Sequence, residues 1–106
     1  MKEYSLELLT IAEVELNDSF EWYEGQRDEL GYEFINEVSH YLSIIERNPL
    51  HYPLRYGKEL RFAPLNRFPF LIIYWIEESR GLIVVASLFH TSRKPKKIKN
   101  IRKSNR

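Results

Sequence analysis

One histidine and three arginines are the residues of this chain whose types and positions could support chemistry on a phosphodiester. His90 ends a long apolar stretch, and Arg61, Arg67 and Arg93 stand beside that stretch or its neighbour. Cleavage of RNA through its 2′-hydroxyl needs a base near neutral pKa, an acid for the leaving oxygen and fixed positive charge on the phosphorane. Histidine and arginine can supply these roles. A structural interpretation competes, in which His90 ends a strand and Arg61 and Arg67 pair with helix carboxylates.

Two apolar stretches would position these residues. Residues 67–76 and 82–90 are rich in β-branched and aromatic side chains and therefore predict two strands. The linker 77–81 is polar and ends in glycine, which is typical of an antiparallel hairpin. Both stretches carry apolar side chains at odd and even positions, so we expect a hairpin in the middle of the sheet, covered on both faces. Strict alternation would place Leu88 on the same face as the even-numbered residues of its strand. It would place Phe89 on the opposite face, with the odd-numbered residues.

The first half of the chain predicts two helices. Apolar residues recur at helical spacing from Thr10 to about Gly25, and again from about Asp28 to Arg47. Thr10 and Glu13 have the spacing of a capping box at the start of the first helix. A link this short between two amphipathic helices favours an antiparallel helical hairpin.

The remaining segments complete the fold. Alternation predicts an edge strand over residues 4–8, and another strand over residues 60–63 after a loop over residues 50–58. The predicted order is β-α-α-β-β-β. This is an α+β domain in which the N-terminal helical hairpin packs on a twisted antiparallel sheet.

Composition narrows the class of protein. A chain of 106 residues is the size of one domain, and without cysteine it can form neither disulfides nor thiolate metal sites. No phosphate loop, dinucleotide fingerprint or metal-spaced histidine pair is present, so we expect no cofactor and no metal. The first residues lack a secretion pattern and no apolar run reaches membrane-spanning length, which predicts a cytoplasmic protein without membrane association.

Charge is distributed very unevenly. Residues 1–50 contain three basic and twelve acidic residues, a net −9, whereas residues 51–106 contain thirteen basic and three acidic residues, a net +10. Eight of the bases follow His90 with no acid among them. We therefore divide the chain into a folded domain, 1–95, and a basic C-terminal tail, 96–106. The tail could bind phosphate backbones, dock on an acidic partner or only aid solubility.

Six short motifs occur in the order and spacing found in the RelE/ParE toxin superfamily. The chain resembles its ParE-like, plasmid-stabilisation branch in particular, over roughly residues 4 to 95. The motifs are Trp22-Tyr23-Glu24, Leu30-Gly31-Tyr32-Glu33-Phe34, Asn48-Pro49, Arg67-Phe68-Pro69-Phe70, Ile73-Tyr74 and His90-Thr91-Ser92-Arg93-Lys94-Pro95.

The resemblance implies a toxin of a type II toxin–antitoxin system, bound by a cognate antitoxin in a hetero-oligomer. Such antitoxins wrap an extended or helical segment over the toxin. Arg61 and Arg67 lie where the family has basic residues on the sheet, and His90 and Arg93 match its terminal His-x-x-Arg pattern.

Two activities occur in this superfamily. ParE-like members inhibit DNA gyrase, and RelE-like members cut messenger RNA on the ribosome, often with a tyrosine near the C-terminus. This chain has no tyrosine after Tyr74, and the leading hypothesis is a ParE-like toxin directed at gyrase. The first alternative is a ribosome-dependent mRNA endoribonuclease, with His90, Arg61, Arg67 and Arg93 as catalytic residues. The second is an inactive toxin-like binding module.

Overall fold

The computed structural model describes residues 3–104, with side chains through residue 101. Five strands, three helices and two 3-10 turns follow one another along this part of the chain. They are β1 (Ser5–Leu8), α1 (Thr10–Gln26), α2 (Leu30–Arg47), β2 (Leu54–Tyr56), β3 (Leu60–Pro64), β4 (Phe70–Glu77), a turn (Glu78–Arg80), β5 (Leu82–His90), a turn (Pro95–Lys97) and α3 (Lys99–Ser104).

The strands form one five-stranded sheet in the order β1-β5-β4-β3-β2, with the predicted β4–β5 hairpin inside it. The predicted α+β class is confirmed. One detail differs, because β1 pairs with β5 in parallel while the other pairs are antiparallel. β1 reaches β5 only after the helices and the other strands, and a crossover of this kind permits parallel pairing. The expected loop over 50–58 contains β2, an edge strand that escaped prediction because all three residues are exposed.

The helices begin differently from the prediction. The capping box is wrong: Thr10 is itself the first residue of α1, and the N-cap residue makes no side-chain hydrogen bond. The start of α2 is capped from outside the helix, by Glu24 of α1. The Glu24 carboxylate accepts the backbone N–H of Glu29 at 3.0 Å and that of Gly31 at 2.9 Å. It therefore satisfies donors that the first turn of α2 leaves unpaired.

Gly31 lets the two helices approach closely. A Cβ at this position would lie 2.7 Å from the Phe20 carbonyl oxygen and 2.9 Å from Glu24 Oε1. Both distances are too short for real contacts, so a larger residue would push α1 and α2 apart.

We expect Gly31→Ala to lower the free energy of unfolding by about 1–3 kcal/mol, the usual range for overpacking. The matched control is Gly25→Ala, since a Cβ at Gly25 meets nothing within 4 Å. This control should be neutral or stabilising by about 0.5–1 kcal/mol, because alanine is the better helix former. Urea denaturation of both variants tests the prediction, and equal stability of the two would contradict it.

Both faces of the sheet are covered, as predicted. The helix-facing core lies between the sheet and the two long helices, with Phe34 and Val38 from α2 against Ile72 and Val85 from the sheet. The tail-facing core, on the opposite face, contains Leu60, Ile73, Trp75, Leu82, Val84, Ala86, Phe89 and Ile98. Ile98 is only 7% exposed. The basic tail is thus part of the cover of the second face.

A β-bulge in β5 overturns the strict alternation expected for this strand. Tyr74 pairs with Val85 but Ile73 pairs with Ser87, so Ala86 is an extra residue on β5. Beyond the bulge every side chain changes face relative to the prediction, as a one-residue slip requires. Leu88 belongs to the helix-facing core, whereas Phe89 belongs to the tail-facing core.

Tyr74 is the largest fully buried side chain of the helix-facing core. Its hydroxyl donates a hydrogen bond to the Pro49 carbonyl oxygen at 2.7 Å, which ties β4 to the end of α2. Burial is the main reason why the pKa of Tyr74 is raised to about 12. The neutral phenol is therefore the form that the folded state favours.

We expect Tyr74→Phe to cost about 1 kcal/mol at pH 8 by removing this hydrogen bond. Because the folded pKa exceeds the ordinary value of 10.0, the tyrosine contributes stability below pH 10 that is lost as pH rises to about 12. In guanidinium titrations the stability gap between wild type and variant should therefore shrink above about pH 9, vanish at about pH 10.7 and reverse sign by about pH 11.5, because the linkage loss then exceeds the hydrogen-bond gain. A gap that stays constant would show that Tyr74 titrates normally in the fold.

Candidate functional site

Arg61 and Arg67, two of the four predicted site residues, are held by structural contacts. Arg61 is half-buried on β3, and its Nη1 donates to the Tyr52 carbonyl oxygen at 2.7 Å. Arg67 lies in the loop between β3 and β4, and its Nη2 donates to Glu33 Oε1 of α2 at 2.7 Å. The Arg67 backbone N–H donates to Glu37 Oε2 at 2.8 Å. The structural interpretation therefore holds for Arg67, whereas Arg61 pairs with a carbonyl instead of a carboxylate.

The contact with Arg67 changes the pKa of the Glu33 carboxylate. The hydrogen bond from Arg67 is the largest cause of a lowered pKa at Glu33, and a second arginine, Arg27, donates to the same carboxylate at 3.2 Å. Two cations thus hold Glu33 ionised. The Arg67 guanidinium is thus paired with a carboxylate of α2, and the Arg67 backbone is bound to Glu37 of the same helix.

His90 lies at the end of β5, opposite Phe70 in the sheet and edge-to-face with its ring at 4.9 Å. Its Nδ1 accepts the backbone N–H of Ser92 at 3.0 Å and lies 2.7 Å from Ser92 Oγ. A backbone N–H can only donate, so Nδ1 is the acceptor in this contact. The ring borders a small hollow of about 240 Å³, whose other lining residues are Asp18, Ser19, Trp22, Tyr23 and Phe70.

Arg93 is directed into a different hollow. Its Nη1 donates to Glu15 Oε2 at 2.7 Å, and its guanidinium stacks over the Phe89 ring at 4.4 Å. Phe89 belongs to the tail-facing core. A groove of about 580 Å³ runs past Arg93 between α1 and the tail, with a mainly apolar floor that includes Ile11, Ala86 and Ile101.

The fold does not bring the four residues together. Each lines a different hollow: His90 the one beside Trp22, Arg93 the groove beside the tail, and Arg61 and Arg67 two more on other parts of the surface. The bulge contributes to the separation. Strict alternation would give His90 the same face as Ala86, in the tail-facing core, but the extra residue moves it to the face of Phe70. A shared catalytic role for these residues stays a prediction.

Glu15 is the residue that the sequence reasoning missed. Its Oε1 accepts the Ser87 hydroxyl and the Leu88 backbone N–H, both at 2.9 Å, while Oε2 binds Arg93. One carboxylate therefore joins α1, the β5 bulge and the segment between β5 and the tail. A signal was available in Ser87, the only hydroxyl residue in the apolar stretch 82–89 and only 3% exposed. A buried hydroxyl in such a strand needs a partner.

We expect Glu15→Ala to cost about 1–3 kcal/mol in urea denaturation, because it leaves buried donors of Ser87 and Leu88 without an acceptor. Arg93→Ala is the control. It removes the ion pair and the contact of the guanidinium with Phe89 but leaves the Glu15 acceptor for Ser87 and Leu88 in place. Because the Arg93 side chain is 39% exposed, this change should cost only about 0–1 kcal/mol. Equal losses in the two variants would mean that the ion pair, and not the bulge, is what Glu15 stabilises.

Neither a metal-binding cluster nor a membrane-spanning helix occurs among the described residues, 3–104. This part of the chain holds no group of three or more His, Cys, Asp or Glu side chains arranged to bind a metal ion. None of its helices has the length and apolar character needed to span a membrane.

Comparisons with known proteins identify the fold. No sequence profile of a protein family matches the chain, and no curated protein does. A solved structure does match: a chain of the "Chromosomal ParDE TA system from P. aeruginosa", with a TM-score of 0.73 and 14% sequence identity. The match covers 85% of this chain and 98% of that chain. The fold is that of a ParDE toxin–antitoxin component. The predicted resemblance to RelE/ParE-type toxins is thereby confirmed at the level of fold.

Proposed function

We propose that this chain is the toxin of a type II toxin–antitoxin pair, of the ParE-like kind, and that it inhibits growth by binding DNA gyrase. The observation that carries the proposal is the fold match to the ParDE structure, which spans nearly the whole of the matched chain. The resemblance to the plasmid-stabilisation branch fits such a pair. Its place of action would be the cytoplasm, where the target is found.

The positions of the basic residues favour binding over RNA cleavage. A nuclease site needs an acid/base group and cations within reach of one phosphate. Here Arg67 is bound to Glu33, Arg93 is bound to Glu15, and His90 lines a hollow that neither of them shares. The proposed toxin therefore acts through its surface, and the RelE-like mRNA endoribonuclease is the alternative that the experiment below must exclude.

A surface for the antitoxin lies along α1 and the adjoining basic edge. Three large apolar side chains of α1 are unusually exposed: Ile11 at 51%, Val14 at 48% and Trp22 at 60%. Exposed apolar residues on one helix are typical of an interface. The groove between α1 and the tail continues this surface with an apolar floor. We name Ile11, Val14 and Trp22 the α1 stripe. An antitoxin segment bound in the groove would cover this stripe and form the hetero-oligomer.

We expect expression from a tight promoter without antitoxin to arrest growth, with relaxed or cleaved DNA and intact messenger RNA. His90→Ala should arrest growth equally, because binding does not need the imidazole. Plasmid supercoiling and transcript integrity, followed in the same cells, provide the measurement. Ile73→Asp is the control: it places a charge in the tail-facing core, where Ile73 is fully buried, and should be harmless because it unfolds the domain.

Other outcomes identify the competing functions. Transcripts cut within codons, together with loss of toxicity in His90→Ala, would make the chain a ribosome-dependent nuclease. Normal growth with soluble, folded wild-type protein would leave a binding module without toxic activity.

A further inference from the structure

Positive charge is concentrated on a short, ordered segment where the folded domain passes into the tail. Five of the seven residues from Arg93 to Lys99 are basic, and no acidic residue occurs anywhere after Glu78. Arg93 is occupied by Glu15. The other four, Lys94, Lys96, Lys97 and Lys99, are exposed and form no ion pair within the described part of the chain. We name these four lysines the basic ridge.

The backbone beneath the ridge is held in place. Ile98 is buried in the tail-facing core between two ridge lysines, and Arg93 is fixed at the other end by Glu15 and Phe89. Backbone hydrogen bonds from Lys97 to Lys94 and from Ile98 to Pro95, both 3.0 Å, close the turn between these anchors. The ridge is therefore ordered before any ligand binds, which lowers the entropic cost of binding.

The acidic half of the chain does not neutralise the ridge. Most of its carboxylates belong to α1 and α2, whose apolar residues pack on one face of the sheet, whereas Ile98 packs on the opposite face. The helix α1 still reaches the ridge, because Ile11 and Glu15 line the same groove as three ridge lysines, Lys96, Lys97 and Lys99. Glu15, which does approach the tail, has both carboxylate oxygens engaged.

We propose that the basic ridge binds the phosphate backbone of duplex nucleic acid, independently of sequence. Duplex DNA carries about one negative charge per 1.7 Å of axis, so a row of lysines releases more counterions on it than on a peptide with a few carboxylates. Residues 91–106 contain no aromatic side chain. Base stacking, on which single-strand binders depend, is therefore absent from the tail's sequence. Lysine binds phosphate as a point charge, without base readout.

The proposal predicts how steeply the affinity for the duplex falls with salt concentration. If each of the four lysines neutralises one phosphate, the slope of log K against log salt should be about −3 to −4. The affinity should be the same for duplexes of unrelated sequence. The proposal does not depend on the toxin activity, since it is tested on purified protein and not through growth.

The experiment measures fluorescence anisotropy of labelled duplex DNA, roughly 20 base pairs long, with the full-length chain at about 50–200 mM salt. Lys96→Gln/Lys99→Gln should reduce the slope by about 2 and weaken binding to every duplex alike. Arg55→Gln/Lys58→Gln is the matched control. It changes net charge equally but alters exposed residues on and beside β2, at the opposite edge of the sheet from β1. It should leave the slope unchanged.

Three results would overturn the proposal. The first is the absence of salt-dependent binding, and the second is an equal loss of slope in the two double variants. The third is tighter binding to a single strand, or to a glutamate-rich peptide of matched charge, than to the duplex. Circular dichroism and thermal melting should be unchanged in both variants, because all four substituted side chains are exposed. A comparison of duplex RNA with duplex DNA then identifies which polymer the ridge prefers.

Discussion

The Glu15 carboxylate is the contact on which the arrangement of the surface depends. By accepting hydrogen bonds from Ser87 and Leu88 it satisfies polar groups at the β5 bulge, and a bulge moves every later side chain to the other face. Leu88 and His90 consequently face the helices, while Phe89 faces the tail and supports Arg93. In a regular strand His90 would face the tail and Phe89 would face the helices. Arg93 would then lose its contact with the Phe89 ring.

Much of the fold could be predicted because the apolar pattern reports burial. The β4–β5 hairpin, the two long helices and the cover on both faces follow from residues that are buried in the structure. Features without such a pattern were not predictable in this way. β2 is exposed and has only three residues, which are too few to establish an alternating pattern. The caps of α2 and the bulge depend on Glu24 and Glu15, and the second of these binds residues more than seventy positions away.

The candidate site was less predictable than the fold, for a related reason. Residue type and strand-end position selected His90, Arg61, Arg67 and Arg93 as candidate site residues. These two features carry no information about which cation pairs with a carboxylate. Arg67 finds Glu33 and Arg93 finds Glu15, and both acids lie in the net-negative first half. The similarity to the ParDE chain has the same limit. At 14% identity and a TM-score of 0.73 it shows a shared fold and says nothing about the chemistry of the surface.

The acidic helices and the basic ridge pack against different faces of the sheet but meet at one groove. The apolar residues of α1 and α2 belong to the helix-facing core and Ile98 belongs to the tail-facing core. Ile11 and Glu15 of α1 line the groove together with three ridge lysines, Lys96, Lys97 and Lys99. The α1 stripe and the basic ridge are not independent, because Glu15 contacts Arg93 at the start of the ridge and lies one turn after Ile11 in the stripe. A ligand on the stripe that displaces the Glu15 carboxylate would break its ion pair with Arg93 and change the affinity of the ridge for its ligand. Linkage requires the ligand of the ridge to change the affinity of the stripe by the same factor. The Glu15 carboxylate is thus the physical connection between the two binding surfaces.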